Sequence, residues 1–459
     1  MKKIISLLIA YMIGQVLWLL PVPNGLQPAA WHLFSLFVAT IIGIMLRPFP
    51  MGVMAIFSLT IAIITQTLSM SDALSGFSNE IVWLVVFAFF ISRGFLVTGL
   101  GNRFAYKIMS IFGKHSLGIG YGLVLTDLVL APTIPSVTAR IGGVVYPILK
   151  SVIDLFTGRA QDPKLGAFLT QTTLQAAMIT SAMFLTAMAG NPFVAELAKQ
   201  NGVTITWMNW MTAAIVPGLL SLLVVPYLIF RLVAPPTRAT PHAREMARER
   251  LKKIGPMKMG EKIMFGTFIL LIVLWILEVN ATLVAMIGLS ILLVTKILQW
   301  KDVIQETSAW DTFLWFAILL TFATFLNKLG FITWFSKEVI QYVQGFSWHW
   351  GFLLISLLYF YSHYLFVSCV AHIGAMFTAF FVIATALGTP PFVAALTLGF
   401  FSNLMGGLTH YGTGPAPILF EMGTMSLGQW WKIGFIASVA NVIIWLGIGA
   451  LWWKLIGVY

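Results

Sequence analysis

The chain has 459 residues, of which 59% are apolar, 14% aromatic and only 9% charged, against roughly 25% charged in a typical soluble domain. With a mean hydropathy of +0.93, there are too few polar side chains to cover a soluble globule. Composition therefore excludes a disordered chain, a coiled coil and a nucleic-acid binder, and points to a polytopic membrane protein. Runs of about 20 apolar residues also exclude an outer-membrane β-barrel, whose strands alternate apolar and polar positions. The formal charge of +12 is read as a topology signal, not as a polyanionic partner. Cys369 is the only cysteine, so no intramolecular disulfide is possible.

In chain order, Met1-Lys2-Lys3 precedes an apolar run over 4–20. It reads as a first transmembrane helix, because it is long for a signal peptide and a second run follows directly. Further spans are expected at 31–46, 51–68 and 81–98. Gly94, Gly99 and Gly101 end a membrane helix there and are not a nucleotide loop. Segment 117–153 is too long for one crossing and carries polar residues midway. Segment 166–199 is interrupted by Gly, Asn and Pro, and 209–230 is a plain span. The stretch 231–262, with nine basic residues, three acids and four prolines, reads as a solvated cytoplasmic linker. Spans follow at 263–279, 281–299 and 310–326, then a second overlong segment (348–387), a second interrupted one (391–424) and a last span at 433–455.

If 117–153 and 348–387 re-enter without crossing, 22 of the 27 basic residues fall on or near the cytoplasmic side. Lys199, Lys328, Lys337 and Lys454 lie outside, and Arg140 within a membrane segment. The positive-inside rule then sets the N-terminus inside and the C-terminus outside. The expected fold is an all-α polytopic membrane protein with 11 transmembrane helices plus two re-entrant hairpins.

The sequence repeats at a separation of 232 residues. Ser136-Val137-Thr138-Ala139-Arg140 aligns with Ser368-Cys369-Val370-Ala371-His372, and Trp83 meets Trp315. The break at Thr186-Ala187-Met188-Ala189-Gly190-Asn191-Pro192 has its counterpart in Thr409-His410-Tyr411-Gly412-Thr413-Gly414-Pro415. The two hairpins would enter from opposite sides, making the repeats inverted. Inverted repeats with discontinuous helices at matching places are the signature of secondary transporters. Non-helical backbone is tolerated in hydrocarbon only against protein or a water-filled cavity, and amides freed at half-helix N-termini suit an anion. Arg140 is an intramembrane arginine, a functional candidate by default. His372 takes the symmetric position and His410 lies in the second break. Asp127 is read as a partner for a nearby cation, and Asp311 and Glu421 as helix-end residues. The alternative of a membrane-embedded hydrolase finds no H-E-x-x-H or G-x-S-x-G motif, and nothing reads as a channel filter.

The stretches APTIPSVTARIGGVVYP, SCVAHIGA and SNLMGGLTHYGTGPAPI resemble the divalent anion/sodium symporter superfamily. They are most similar to its exchanger branch of bacterial citrate–succinate-type antiporters and plastid 2-oxoglutarate/malate translocators. The resemblance covers essentially the whole chain. It implies a homodimer in the cytoplasmic membrane, each protomer with a scaffold domain and a transport domain moving as an elevator. Scaffold helices would be 1–116, 209–230, 263–347 and 433–459, joined by the linker 231–262; transport parts would be 117–208 and 348–432. It further implies exchange of di- or tricarboxylates, with sodium-coupled symport of the same acids as the alternative, and no enzymatic activity, cofactor or metal.

The family's hairpin-tip motifs fall on Ser136, Val137, Thr138 and on Ser368, Cys369, Val370. Its broken-helix threonines fall on Thr186 and Thr409, with Gly190, Asn191, Gly412, Thr413 and Gly414 beside them. Val137 stands where the pattern has Asn, and Val370 where it has Thr, so the usual sodium sites are weakened. Arg140 and His372 would then compensate the substrate's charge, His372 lending uptake a pH dependence near neutrality.

Overall fold

The computed structural model describes residues 2–160, 162–343 and 347–458, and no strand lies among them. After α1 (Lys2–Leu19) come α2 (Pro28–Leu46), α3 (Met51–Ile64), the short α4 (Met70–Leu74), α5 (Glu80–Thr98) and α6 (Leu100–Phe112). The first overlong segment is α7 (Ser116–Leu130), an irregular turn, the single helical turn α8 (Val137–Arg140), a π-helical stretch and α9 (Tyr146–Ala160). The first interrupted segment is α10 (Pro163–Met183), a gap, and α11 (Gly190–Gln200); α12 (Trp207–Val233) follows.

Helix α13 (Pro241–Ile254) separates this half from the next. The second half holds α14 (Met259–Ile276), α15 (Ala281–Val294), α16 (Trp300–Gln305), α17 (Thr307–Lys328) and α18 (Phe331–Val343). Its overlong segment is α19 (Trp348–Tyr361), a turn, and α20 (Cys369–Ala386). Its interrupted one is α21 (Pro391–Leu404), a gap, and the short α22 (Pro415–Phe420), followed by α23 (Leu427–Ile443) and α24 (Gly449–Leu455). Among the described residues, eight helices are long and apolar enough to cross a membrane, with shorter apolar ones beside them. Large side chains such as Ile4, Leu8, Leu223 and Val294 are exposed on the outside of the bundle, where lipid is the solvent.

The repeat is written into the backbone more plainly than into the side chains. Left-handed residues recur in six pairs: Gly25 with Gly255, Arg47 with Glu278, Gln66 with Lys296, Gly99 with Gly330, Gly202 with Gly423, and Ala234 with Gly457. Their separations run from 221 to 231 residues, and Gly388 alone among the described positive-φ residues is left over. Such residues end or reverse helices, so both halves turn at the same places even where a side chain makes the left-handed conformation costly.

Most helix packing falls within two groups. In one, α2 lies on α3, α17 packs with α3 and α5, and α5 packs with α15. In the other, α10 lies against α7, α12 and α21, while α20 lies against α11 and α21. Sequence reading placed 209–230 and 433–459 with the scaffold. The packing instead sets α12, α23 and α24 with the hairpins and broken helices. Indole N–H groups tie them there: Trp210 Nε1 donates to the Ala182 carbonyl at 2.9 Å and Trp453 Nε1 to the Ala213 carbonyl at 2.8 Å.

The stretch expected to be a solvated linker is also different. It contains α13, whose Ala243 and Ala247 are fully buried against α6. Arg244 Nε donates to the Ser110 carbonyl at 2.9 Å, and Thr240 Oγ1 to that of Gly113 at 3.0 Å. Arg103 clasps Glu261 at 2.6 Å and also donates to the Gly255 carbonyl. Charge density alone reads as solvated; small residues spaced four apart are what let one face dock.

Candidate functional site

Both hairpin tips are helix N-termini capped by their own serine. Ser136 Oγ accepts from the Ala139 N–H at 3.1 Å, and Ser368 Oγ from that of Ala371 at 3.4 Å. Each hydroxyl keeps its proton to donate, and each arm presents first-turn amides and the positive end of its dipole at the tip.

The tips meet at one short run of the second break. A Cβ on Gly412 would lie 2.8 Å from His363 Nε2 of the second hairpin. One on Gly414 would lie 2.1 Å from Thr138 Oγ1 of the first. Two residues span at most about 7 Å of chain, so both hairpins close on the same three residues. Gly190 of the first break faces the second tip likewise, its would-be Cβ 3.7 Å from Val370 Cγ2.

The sixteen residues singled out by sequence divide into two sets. Thr138 and Gly414 are exposed, and Ser136, Ser368, Val370 and His410 partly so. These are the ones that solvent reaches. Val137, Arg140, Thr186, Gly190, Asn191, Cys369, His372, Thr409, Gly412 and Thr413 are buried. Thr186 accepts from Trp207 Nε1 at 3.0 Å and donates to the Pro132 carbonyl. Asn191 donates to the carbonyls of Ser181 and Phe184 at 2.8 and 3.0 Å and accepts from Asn403 Nδ2 at 2.7 Å. His410 Nδ1 accepts from Trp431 Nε1 at 3.3 Å. The Cys369 thiol lies 3.6 Å from the Gly412 carbonyl.

Arg140 requires a correction. Its side chain is wholly buried, with Nε donating to Asp127 Oδ1 at 2.6 Å. Nη1 donates to the Ile134 and Ala187 carbonyls at 2.8 and 2.9 Å, and Nη2 to Ser181 Oγ at 2.8 Å. Thr180 Oγ1 completes the cage by donating to Asp127 Oδ2. The guanidinium has no N–H left for a substrate in this conformation, and its charge is balanced by Asp127. The partner role given to Asp127 by sequence is the one the structure displays.

At the repeat separation of 232, Asp127 corresponds to Tyr359 and Arg140 to His372. The ion pair of the first half is an aromatic pair in the second, with ring centroids 4.5 Å apart. His372 Nε2 is 2.8 Å from Ser362 Oγ, and its ring is fully buried. It too faces protein, not solvent.

Sequence reasoning missed four residues. His363, fully buried, donates through Nε2 to the Gly412 carbonyl at 2.9 Å. Gln175 and Asn403, 228 residues apart, cross between the halves: Gln175 Nε2 donates to the Gly407 carbonyl at 2.8 Å, as Asn403 does to Asn191. The fourth, Arg47, follows α2 and donates to the Val367 carbonyl at the second tip at 2.8 Å, while itself largely exposed. The 228-residue register could have revealed the Gln175–Asn403 match. Nothing local marks His363 or Arg47.

Two capped hairpin tips closing on a glycine-rich helix break, inside an apolar helical bundle, define a membrane transporter. A sequence model for the sodium:sulfate symporter transmembrane region matches residues 1–459, and the chain belongs to this family, within the divalent anion/sodium symporter superfamily. It is 49% identical to YflS of Bacillus subtilis, named as a proposed malate transporter, over all of this chain and 97% of that protein. It is also 49% identical to chloroplastic dicarboxylate transporter 1 of Spinacia oleracea, covering 99% of this chain and 81% of the other. Among solved structures, the fold is similar to Neisseria gonorrhoeae MtrF at a TM-score of 0.58 and 12% identity, over 98% of this chain and 94% of that one. The Alcanivorax borkumensis YdaH transporter gives 0.56 at 12% identity, over 99% and 98%.

Proposed function

We propose that the protein exchanges dicarboxylates across the cytoplasmic membrane, without sodium. Dicarboxylate as the substrate class is supported by the names of relatives that are half identical over the full chain. The substrate's two carboxylates would sit between the hairpin tips, taking hydrogen bonds from Ser136, Thr138 and Ser368 and from first-turn amides. C4, C5 and tricarboxylate acids all fit that donor set.

The observation that carries sodium independence is the fate of the carbonyls. In transporters of this architecture, unwound backbone carbonyls coordinate the coupling cation. Here Arg140 donates to the Ile134 and Ala187 carbonyls, and His363 to that of Gly412. Protein-borne donors hold these oxygens in both halves. Arg140 thus acts as a resident plug for a cation site and not as the counter-charge to the dianion. Movement of α7–α12 with α19–α24 against the remaining helices, as an elevator within a homodimer, fits the two packing groups, with the N-terminus inside.

Counterflow of labelled malate into malate-loaded proteoliposomes tests this reading. Equal rates with and without sodium are expected. Accumulation in unloaded vesicles only under an imposed sodium gradient would establish the symport that the family's descriptor suggests. In the same assay Thr138→Ala or Ser368→Ala should weaken apparent affinity roughly tenfold or more, since a hydrogen bond to a charged group is worth about 1.5–3 kcal/mol. Unchanged affinity in both variants would remove the tips from the site.

A further inference from the structure

A cavity of about 580 Å³ opens between α2, α17, α18 and α20, away from the residues assigned to substrate. That volume lies within the roughly 300–1,000 Å³ range of small-molecule sites. Its wall follows one face of α2, through Trp31, Phe34, Ile41 and Met45. Fourteen residues of helix make it about 21 Å long, somewhat more than the about 15 Å depth of one bilayer leaflet.

The two ends differ. Phe34 stacks on Phe331 at 4.3 Å, which sets the start of α18 at one end. Phe366, next to the second hairpin tip, lines the other. Against α18 the cavity adjoins a smaller, polar one of about 360 Å³ that shares Asn201, Asn327 and Ile332 and adds Thr333, Ser336 and Lys337. Lys337 is exposed and, among the described residues, forms no ion pair. The Nε1–H of Trp334, in the cavity wall, is buried without a partner among the described residues.

The repeat shows that this space is not generic. The counterpart of α18 is α6, which packs along α7 and is covered by α13. Helix α18 packs on α2, α17 and α20, and no described element plays the part of α13.

We propose that this cleft is a binding site for a membrane glycerophospholipid. One acyl chain lies along α2 toward Phe366, and the phosphate sits at the mouth beside Lys337. A long apolar trough ending in a cationic, amide-lined pocket matches a phospholipid's own division into chain and phosphate. A quinone or sterol would leave the lysine unused. The site lies between the two packing groups, so an occupant touches both.

Native mass spectrometry of the full chain, delipidated and then mixed with vesicles of palmitoyl-oleoyl phosphatidylglycerol, tests the proposal. One phospholipid retained per chain is expected. Ala379→Trp, filling the trough, should abolish retention. Lys337→Glu, at the exposed mouth, should lower occupancy at least tenfold without changing the thermal unfolding midpoint. Should Ala379→Trp fail to fold, Ala323→Leu on the opposite wall serves in its place. No retained phospholipid, a detergent or quinone recovered instead, or equal occupancy in the filled and native cavities would overturn the assignment.

Discussion

Arg140→Met is expected to destabilise the protein by about 3–5 kcal/mol, the cost of removing one partner of a buried ion pair. The damage does not come from a lost attraction alone. Asp127 would remain at 1% exposure with its charge held by Thr180 and no cation, and the Ile134 and Ala187 carbonyls would lose their donor. Asp127→Asn with Arg140→Met removes both charges and should recover at least half of the loss, because pairs in direct contact are strongly non-additive. Thermal unfolding of the purified variants measures the difference. A single variant as stable as the parent would show that the pair is not what holds the first hairpin. The double variant also separates structure from coupling: with the guanidinium gone from those carbonyls, sodium dependence of counterflow should appear there first.

Much of this architecture was legible in the sequence because breaking a helix in hydrocarbon leaves a conspicuous composition. PTIPS, AGNP and GTGPAP announced the first hairpin and both interrupted helices, and the structure breaks at each. Membership of the superfamily was legible for the same reason. Charge was read less well. Arg140 looked like a binding cation because sequence shows a lone intramembrane arginine, while its acid lies thirteen residues earlier on another helix. The opposite error occurred in the stretch 231–262, where nine basic residues concealed Ala243 and Ala247, the two that dock α13. The grouping of α12 and α23 escaped because their apolar faces look alike whether they meet a scaffold or a hairpin. Arg47 and His363 escaped because their partners are carbonyls, which a sequence does not display.

Gly414→Ala is expected to weaken substrate affinity roughly tenfold to a hundredfold, at least as much as Thr138→Ala, although it adds one methyl group. The added Cβ would stand 2.1 Å from Thr138 Oγ1, 3.5 Å from Thr138 Cβ and 3.9 Å from its Cγ2. Only the hydroxyl is in the way. If the hairpin tip retreats, Ser136 leaves with Thr138, and overpacking of this kind costs typically 1–3 kcal/mol. If Thr138 rotates instead, its hydroxyl leaves the ligand-facing surface and about 1.5–3 kcal/mol of hydrogen bonding goes with it. Retreat removes both donors of the first tip, and rotation removes that of Thr138. Gly414→Ala combined with Thr138→Ala removes the obstructing oxygen, and the remaining 3.5 Å approach of the two Cβ atoms is an ordinary contact. The double variant should therefore bind no worse than Thr138→Ala alone, measured as apparent affinity for labelled malate in counterflow. Such non-additivity needs the two residues to touch at the site itself. Simple addition of the two losses would mean that the first hairpin tip and the Gly412–Gly414 run do not share a ligand.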